Sequence, residues 1–291
     1  MKTIDTKAIL MGLAFVIMWA SAFTSARVIV QYAPPLHALA IRFLLSGFLG
    51  IAVARAMGQT WQLTRNQWIA TIIFGITQNG FYLGLNFVAM QTIEASLAAI
   101  VASTMPLLVA LASWVIFRER LRPLGIVGLI AGIVGVGLIM GARLQGDVDL
   151  FGLGLCVIGV ISLTIATLLV RSASSGGNFL MIVGIQMLVG SVALAIPALA
   201  LETFDVTWTW QLIVAFTYTF IVPGLAATVI WFYLVDRVGA TRAAVFHFLT
   251  PFFGVLTAAV LLGEKLGSLD IVGVLIITVG ILAVQLSKQK S

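Results

Sequence analysis

Two ionisable side chains lie deep inside apolar stretches of this sequence, Arg42 and His247. An arginine keeps its charge at any working pH, whereas a histidine can exchange a proton near neutrality. The ten acids all fall in tails, loops or helix ends: Asp5, Glu94, Glu119, Asp147, Asp149, Glu202, Asp205, Asp236, Glu264 and Asp270. No carboxylate pair, Ser/His set or metal-ligand cluster therefore gathers in an apolar segment, which argues against an intramembrane hydrolase or transferase. The one cysteine, Cys156, supports neither a disulfide framework nor a thiolate metal site. No GxxxxGK[ST] loop occurs, so ATP does not power the chain directly, and no cofactor or ATPase subunit is implied.

What remains is recognition chemistry at helical spacing. Gly75, Asn79, Tyr82 and Asn86 follow one another at steps of 4, 3 and 4, which places them on one helix face. Amides facing lipid are costly, so this face points at protein or at a water-filled cavity. Helix–helix hydrogen bonding and contact with a bound solute both satisfy it. Thr217, Gly224, Thr228 and Trp231 repeat the pattern later, and His247 shares a face with Pro251, Gly254 and Ala258. His247 is either a neutral core residue or a group that touches solute or carries a proton. Trp19 and Phe23 line one side of the first apolar block, and Ser103 stands on the fourth.

The elements holding these residues are membrane spans. Of 291 residues 61% are hydrophobic and 9% charged, too few polar groups to cover a soluble globule. Ten apolar runs, near 8–30, 35–55, 67–89, 95–117, 123–142, 150–171, 178–200, 208–234, 240–262 and 268–287, are each about the length that crosses a bilayer. The expected class is an all-α integral membrane protein. If the N-terminus is cytoplasmic, Lys2, Lys7, Arg55, Arg65, Arg118, Arg120, Arg122, Arg171, Arg237, Arg242, Lys288 and Lys290 fall inside. The outer loops keep only Arg143 and Lys265, a bias that places both termini in the cytoplasm. This charge map accounts for the basic composition without a nucleic-acid partner.

The stretch PLLVALASWVIFRER at 106–120 is echoed by PFFGVLTAAVLLGEK at 251–265. At this offset of 145, Ala95, Ala98, Pro106, Glu119, Leu121, Gly128 and Gly135 match Ala240, Ala243, Pro251, Glu264, Leu266, Gly273 and Gly280. The chain reads as two five-helix repeats, 1–145 and 146–291. Five being odd, the second is inverted, the architecture of carriers that work about a midplane site. Pro106 and Pro251 each remove an intrahelical hydrogen bond and are expected to kink the fourth and ninth spans. Glu119 and Glu264 are expected to complement positive helix N-termini rather than to carry protons. The glycine pairs 128/132 and 137/141 read as packing surfaces.

The doubled A-S-L-A-A…P…E and A-T-R-A-A…P…E pattern, the W-A-S-A-F of the first span and the A-I-R-F-L of the second resemble the drug/metabolite transporter superfamily. The likeness is to its ten-span EamA-type exporters, among them bacterial inner-membrane amino-acid exporters, and covers about residues 8–287. It implies a carrier, not an enzyme, that exports amino acids or related amphipathic metabolites across a bacterial inner membrane by alternating access. The expected cavity is lined by spans one, three, four, six, eight and nine, with Trp19, Asn79, Tyr82, Ser103, Trp231 and His247 at the solute. Arg42, Pro106, Pro251, Glu119 and Glu264 are expected to gate or support it. Facilitated uniport is the expected mode, with drug or metabolite:proton antiport through His247 as the alternative.

Overall fold

The computed structural model describes residues 5–116, 118, 121–144, 148–170 and 177–288. It contains ten helical spans: Thr6–Tyr32, Pro35–Ala56, Arg65–Ala89, Ala95–Val115, Pro123–Arg143, Leu150–Leu169, Phe179–Leu201, Trp210–Val235, Ala244–Leu262 and Ser268–Ser287. There is no strand among the described residues. Helices are the outcome that lipid imposes, since each backbone N–H and C=O must find its partner within the segment. Their ends carry ordinary stop signals. Thr64 and Gln67 form a capping box at the third span, with Thr64 N donating to Gln67 Oε1 at 2.8 Å. Pro35 and Pro123 open the second and fifth spans, and Gly263 closes the ninth in the left-handed region at φ 67°. Large apolar residues such as Phe48, Ile130, Phe151 and Leu199 stand exposed, as lipid-facing side chains do.

Four spans are not regular α-helix, and their irregularities fall in matching places of the two repeats. The third winds as a π-helix over Gly75–Tyr82, and the eighth over Val222–Ala226, around Pro223. The fourth breaks at Thr104 into Ala95–Ser103 and Met105–Val115, with Pro106 in the first turn of the second piece. The ninth narrows to a 3-10 helix over Ala244–Leu249 before resuming at Thr250, with Pro251 in its first turn. Pro106 and Pro251 thus each stand at a change of winding, in the first turn of the piece that follows, where a missing N–H costs least.

The chain forms two compact units, and neither is a sequence half. One comprises Met1–Thr24, Ile93–Asp149 and Val222–Ser291; the other comprises Ser25–Thr92 and Leu150–Ile221. Within the first unit the fifth and tenth spans pack through glycines. A methyl on Gly128 would stand 2.6 Å from the Gly280 carbonyl oxygen, and one on Gly135 2.9 Å from that of Gly273. Gly128 and Gly135 match Gly273 and Gly280 at the 145-residue offset, so these two contacts are mates under the repeat. The higher residue of one helix meets the lower residue of the other, and the pair is antiparallel.

In the second unit the second and seventh spans pair in the same sense. Gly47 faces the Gly184 carbonyl, and Ser191 Oγ donates to the Ala40 carbonyl at 2.8 Å. Ala54, Met181 and Ile185 close the core beside them. Repeat-equivalent helices side by side and antiparallel are what two inverted copies give. The glycine reading needs one correction. Gly128 and Gly132 are buried in a packed seam, but methyls on Gly137 and Gly141 would meet nothing within 4 Å. Helical drift of 3.6 residues per turn carries those two glycines round from the seam, which continues through Gly135 and Ile139 instead.

Candidate functional site

Aromatic side chains gather in the first unit around His247. Phe15 and Trp19 come from the first span, one turn apart, Trp231 from the eighth and His247 from the 3-10 segment of the ninth. The imidazole meets Phe15 at 5.2 Å and Trp231 at 5.2 Å between ring centroids, both nearly edge-on, and Trp19 at 6.3 Å and 89°. Phe15 also lies 4.7 Å from Trp231 and 5.8 Å from Trp19. Such tilted and T-shaped contacts are the favoured geometries for rings with a negative face and positive edge. Phe15, Val16 and Ala227 form the buried base, while Trp19, Trp231 and His247 are only partly buried. Gly12 keeps the neighbouring turn open, because a side chain there would run into the Phe246 ring. The sequence reading paired Trp19 with Phe23, but the ring it meets is Phe15, on the same helical face four residues earlier.

The other expected residues have these settings. Ser103 is buried in the first unit just before the break, and its hydroxyl donates to the Ile100 carbonyl at 2.7 Å. Asn79 and Tyr82 belong to the second unit, where Gly75, Asn79, Tyr82 and Asn86 are all buried. Asn79 Nδ2 donates to the Gln186 carbonyl of the seventh span at 2.9 Å, and the side chain fills the space a methyl on Gly190 would need. Asn86 Nδ2 donates to the Tyr82 carbonyl at 2.8 Å, and its Oδ1 has no partner. Gly159 of the sixth span admits both side chains, since a methyl there would lie 2.8 Å from Asn86 Nδ2 and 3.6 Å from Tyr82 Cδ2. The amides of the third span are thus engaged by helix contacts, the usual use of a polar group in apolar surroundings.

Carboxylates serve the helix ends. Glu264 accepts from the backbone N–H groups of Ala95 at 2.8 Å and Ser96 at 2.9 Å, capping the fourth span. Glu119, its repeat counterpart, lies outside the described residues. Glu202, which follows the seventh span, caps the second in the same manner through Leu36 at 2.9 Å and His37 at 3.0 Å, and also meets His37 Nδ1. Arg143 binds Glu94 at 2.6 Å and takes both oxygens of Asp270. Arg42 is 7% exposed, its guanidinium 5.2 Å from the Phe43 ring.

Sequence reasoning missed Phe15, the Glu202 cap and the Arg143 cluster. Only Phe15 had a local signal, its four-residue spacing from Trp19.

Ten spans in two inverted repeats, interrupted winding and carboxylates confined, among the described residues, to helix ends, loops and tails define a multi-pass membrane carrier. The chain belongs to the EamA-like transporter family, which matches it twice, over residues 6–141 and 150–286. It is 26% identical to the uncharacterized transporter YvbV of Bacillus subtilis over 97% of this chain and 92% of that one. It is 24% identical to a probable amino-acid metabolite efflux pump of Salmonella typhimurium over 93% of this chain and 92% of that one. The aromatic amino acid exporter YddG of Ancylobacter novellus shares 30% identity over 48% of each chain. A solved crystal structure at 20% identity covers 99% of this chain with TM-score 0.69 and shares its fold. The protein is a transporter of an inner membrane and not an enzyme.

Proposed function

We propose that the protein exports amino acids with aromatic or large apolar side chains, by alternating access and without ion coupling, its two repeats being 1–145 and 146–291 and both termini cytoplasmic. The observation that carries this reading is the partly buried cluster of Trp19, Trp231 and His247 on Phe15. Partly buried aromatic rings offer stacking area, and indole and imidazole N–H groups offer polar contacts to an amphipathic solute. The names of two relatives, an aromatic amino acid exporter and an amino-acid metabolite efflux pump, agree with that chemistry. Asn79, Tyr82 and Ser103 take secondary roles, holding the irregular third and fourth spans in shape.

The test is counterflow in proteoliposomes with labelled phenylalanine. Exchange is expected to saturate, and Trp231→Ala and Trp19→Ala are each expected to lower it by about tenfold, the scale of one lost aromatic contact. Asn79→Ala and Tyr82→Ala are expected to have smaller effects in protein that stays folded in the membrane. Absence of phenylalanine exchange, or exchange indifferent to both tryptophans, would reject the reading. A second reading, proton antiport, draws on His247 standing within that cluster and is tested below by an imposed pH gradient.

A further inference from the structure

The second span carries a charge that no acid among the described residues neutralises. Arg42 is 93% buried, being 7% exposed, and its Nε has no hydrogen-bond partner. One turn on, Ser46 is fully buried, and its hydroxyl also lacks a partner. Residues four apart share a helix face, so the Cβ atoms of Arg42 and Ser46 stand about 6 Å apart along one stripe. This stripe lies roughly 100° round the helix from the row of Ala40, Gly47 and Ala54 that packs towards the seventh span. A buried serine normally back-bonds to its own helix, as Ser103 and Ser287 do here.

Burying an unpaired guanidinium is costly, and arginine does not escape by losing its proton. Of the other arginines in this unit's spans, Arg27 donates to the Met90 carbonyl, and Arg55 and Arg65 are exposed at span ends. The acids of the second unit are Glu202 and Asp205. Glu202 already spends both oxygens on Leu36, His37 and the His37 ring. Asp205 lies in the loop beyond it, and no carboxylate is paired with Arg42 among the described residues. Phe43 sets its ring 5.2 Å from the guanidinium, which orients the fork without supplying a counter-charge.

We propose that Arg42 and Ser46 form a carboxylate-binding site in the second span, and that the carboxylate it takes is the substrate's own. The proposal deepens the amino-acid export reading and rests on it. The guanidinium fork matches a carboxylate's two oxygens, and the Ser46 hydroxyl donates to the same group. The site then selects solutes by their acid group. Position 187, the repeat counterpart of Arg42, is Met187, so the symmetric architecture carries one such site and not two.

The experiment measures thermal stabilisation of purified wild-type protein by phenylacetate and by its uncharged analogue phenylacetamide. Acetate and inorganic phosphate serve as controls for a generic anion. Phenylacetate is expected to stabilise and phenylacetamide not. Apparent phenylacetate affinity is expected to fall by about tenfold or more in Arg42→Gln and by several-fold in Arg42→Lys and Ser46→Ala. The conservative pair keeps the test decisive if Arg42→Gln does not fold. Equal stabilisation by both analogues, by acetate or phosphate as strongly, or unchanged affinity in Arg42→Lys and Ser46→Ala would overturn the proposal, as would no stabilisation at all. Phenylalanine counterflow separates this failure from that of the parent reading. Exchange that proceeds while phenethylamine competes as well as phenylalanine overturns the carboxylate site alone.

Discussion

At the scale of single residues, the carboxylates of this protein are read best by which N–H groups they accept from. Glu264 satisfies two amides that the fourth span leaves open, and Glu202 does the same for the second. In both cases the acid follows a helix and caps that helix's repeat counterpart, because antiparallel pairing sets the end of one beside the start of the other. Glu264→Ala should therefore lower thermal stability by about 1 kcal/mol, as loss of a cap does, with the phenylalanine KM of the remaining folded protein unchanged. Glu264→Gln, which keeps an acceptor, should lose less. A KM shift without loss of stability would instead make Glu264 part of the transport path.

Asp5 makes a related contact outside the spans, capping Ala8 and binding Arg237 through both oxygens. The Arg237 hydrogen bond, with help from the Ala8 amide, holds its carboxyl below the usual carboxylate range. A depressed folded-state pKa gives a contribution that is complete above the unfolded value and lost as pH falls through the folded one. Asp5→Asn is thus expected to cost a small, constant amount of stability between pH 5 and pH 8, with the difference vanishing only in strong acid. Melting curves of both proteins across that range check it.

At the scale of elements, glycine position separates packing from mere composition. Gly280 has backbone on its open side, with the Gly128 oxygen 2.7 Å and the Gly132 nitrogen 2.8 Å from where a methyl would sit. Main chain cannot rotate away as a side-chain tip can, so Gly280→Val should destabilise by about 1–3 kcal/mol or more. Gly137→Ala adds a methyl in open space and should be neutral or gain up to about 1 kcal/mol from helix propensity. Parallel thermal melts decide the pair, and equal effects would refute the seam.

Span number and proline positions were legible in the sequence, because apolar run length and a missing N–H act locally. The π-windings at Gly75–Tyr82 and Val222–Ala226 were not, since a 4, 3, 4 spacing reads alike in either helix over two turns. Of the candidate site, Trp19, Trp231 and His247 were legible by type, but their convergence depends on the 3-10 turn of the ninth span. The contacts of Glu202 with Leu36 and of Arg143 with Asp270 join residues more than a hundred positions apart, beyond any local pattern.

For the whole molecule, what drives transport depends on which groups can carry a proton through the membrane. A proton-coupled carrier needs a group that takes up and releases a proton within the membrane, typically a carboxylate placed there by design of the span. Among the described residues every acid lies at a helix end, in a loop or in a tail, and several are already bound: Glu264 and Glu202 to amides, Asp270 and Glu94 to Arg143. His247 is the remaining candidate, and the rings it meets, Phe15, Trp19 and Trp231, bring no charge to oppose or relay a proton. Such a setting suits a residue that packs against solute better than one that cycles between charge states. The protein is therefore expected to run downhill on its substrate gradient alone. Proteoliposomes loaded at pH 6 and diluted into pH 8 should equilibrate labelled phenylalanine faster than empty vesicles without concentrating it. His247→Gln should weaken apparent affinity while leaving the outcome of the pH jump unchanged. Uphill accumulation driven by the jump, and abolished in His247→Gln, would make His247 the coupling group and the carrier an antiporter.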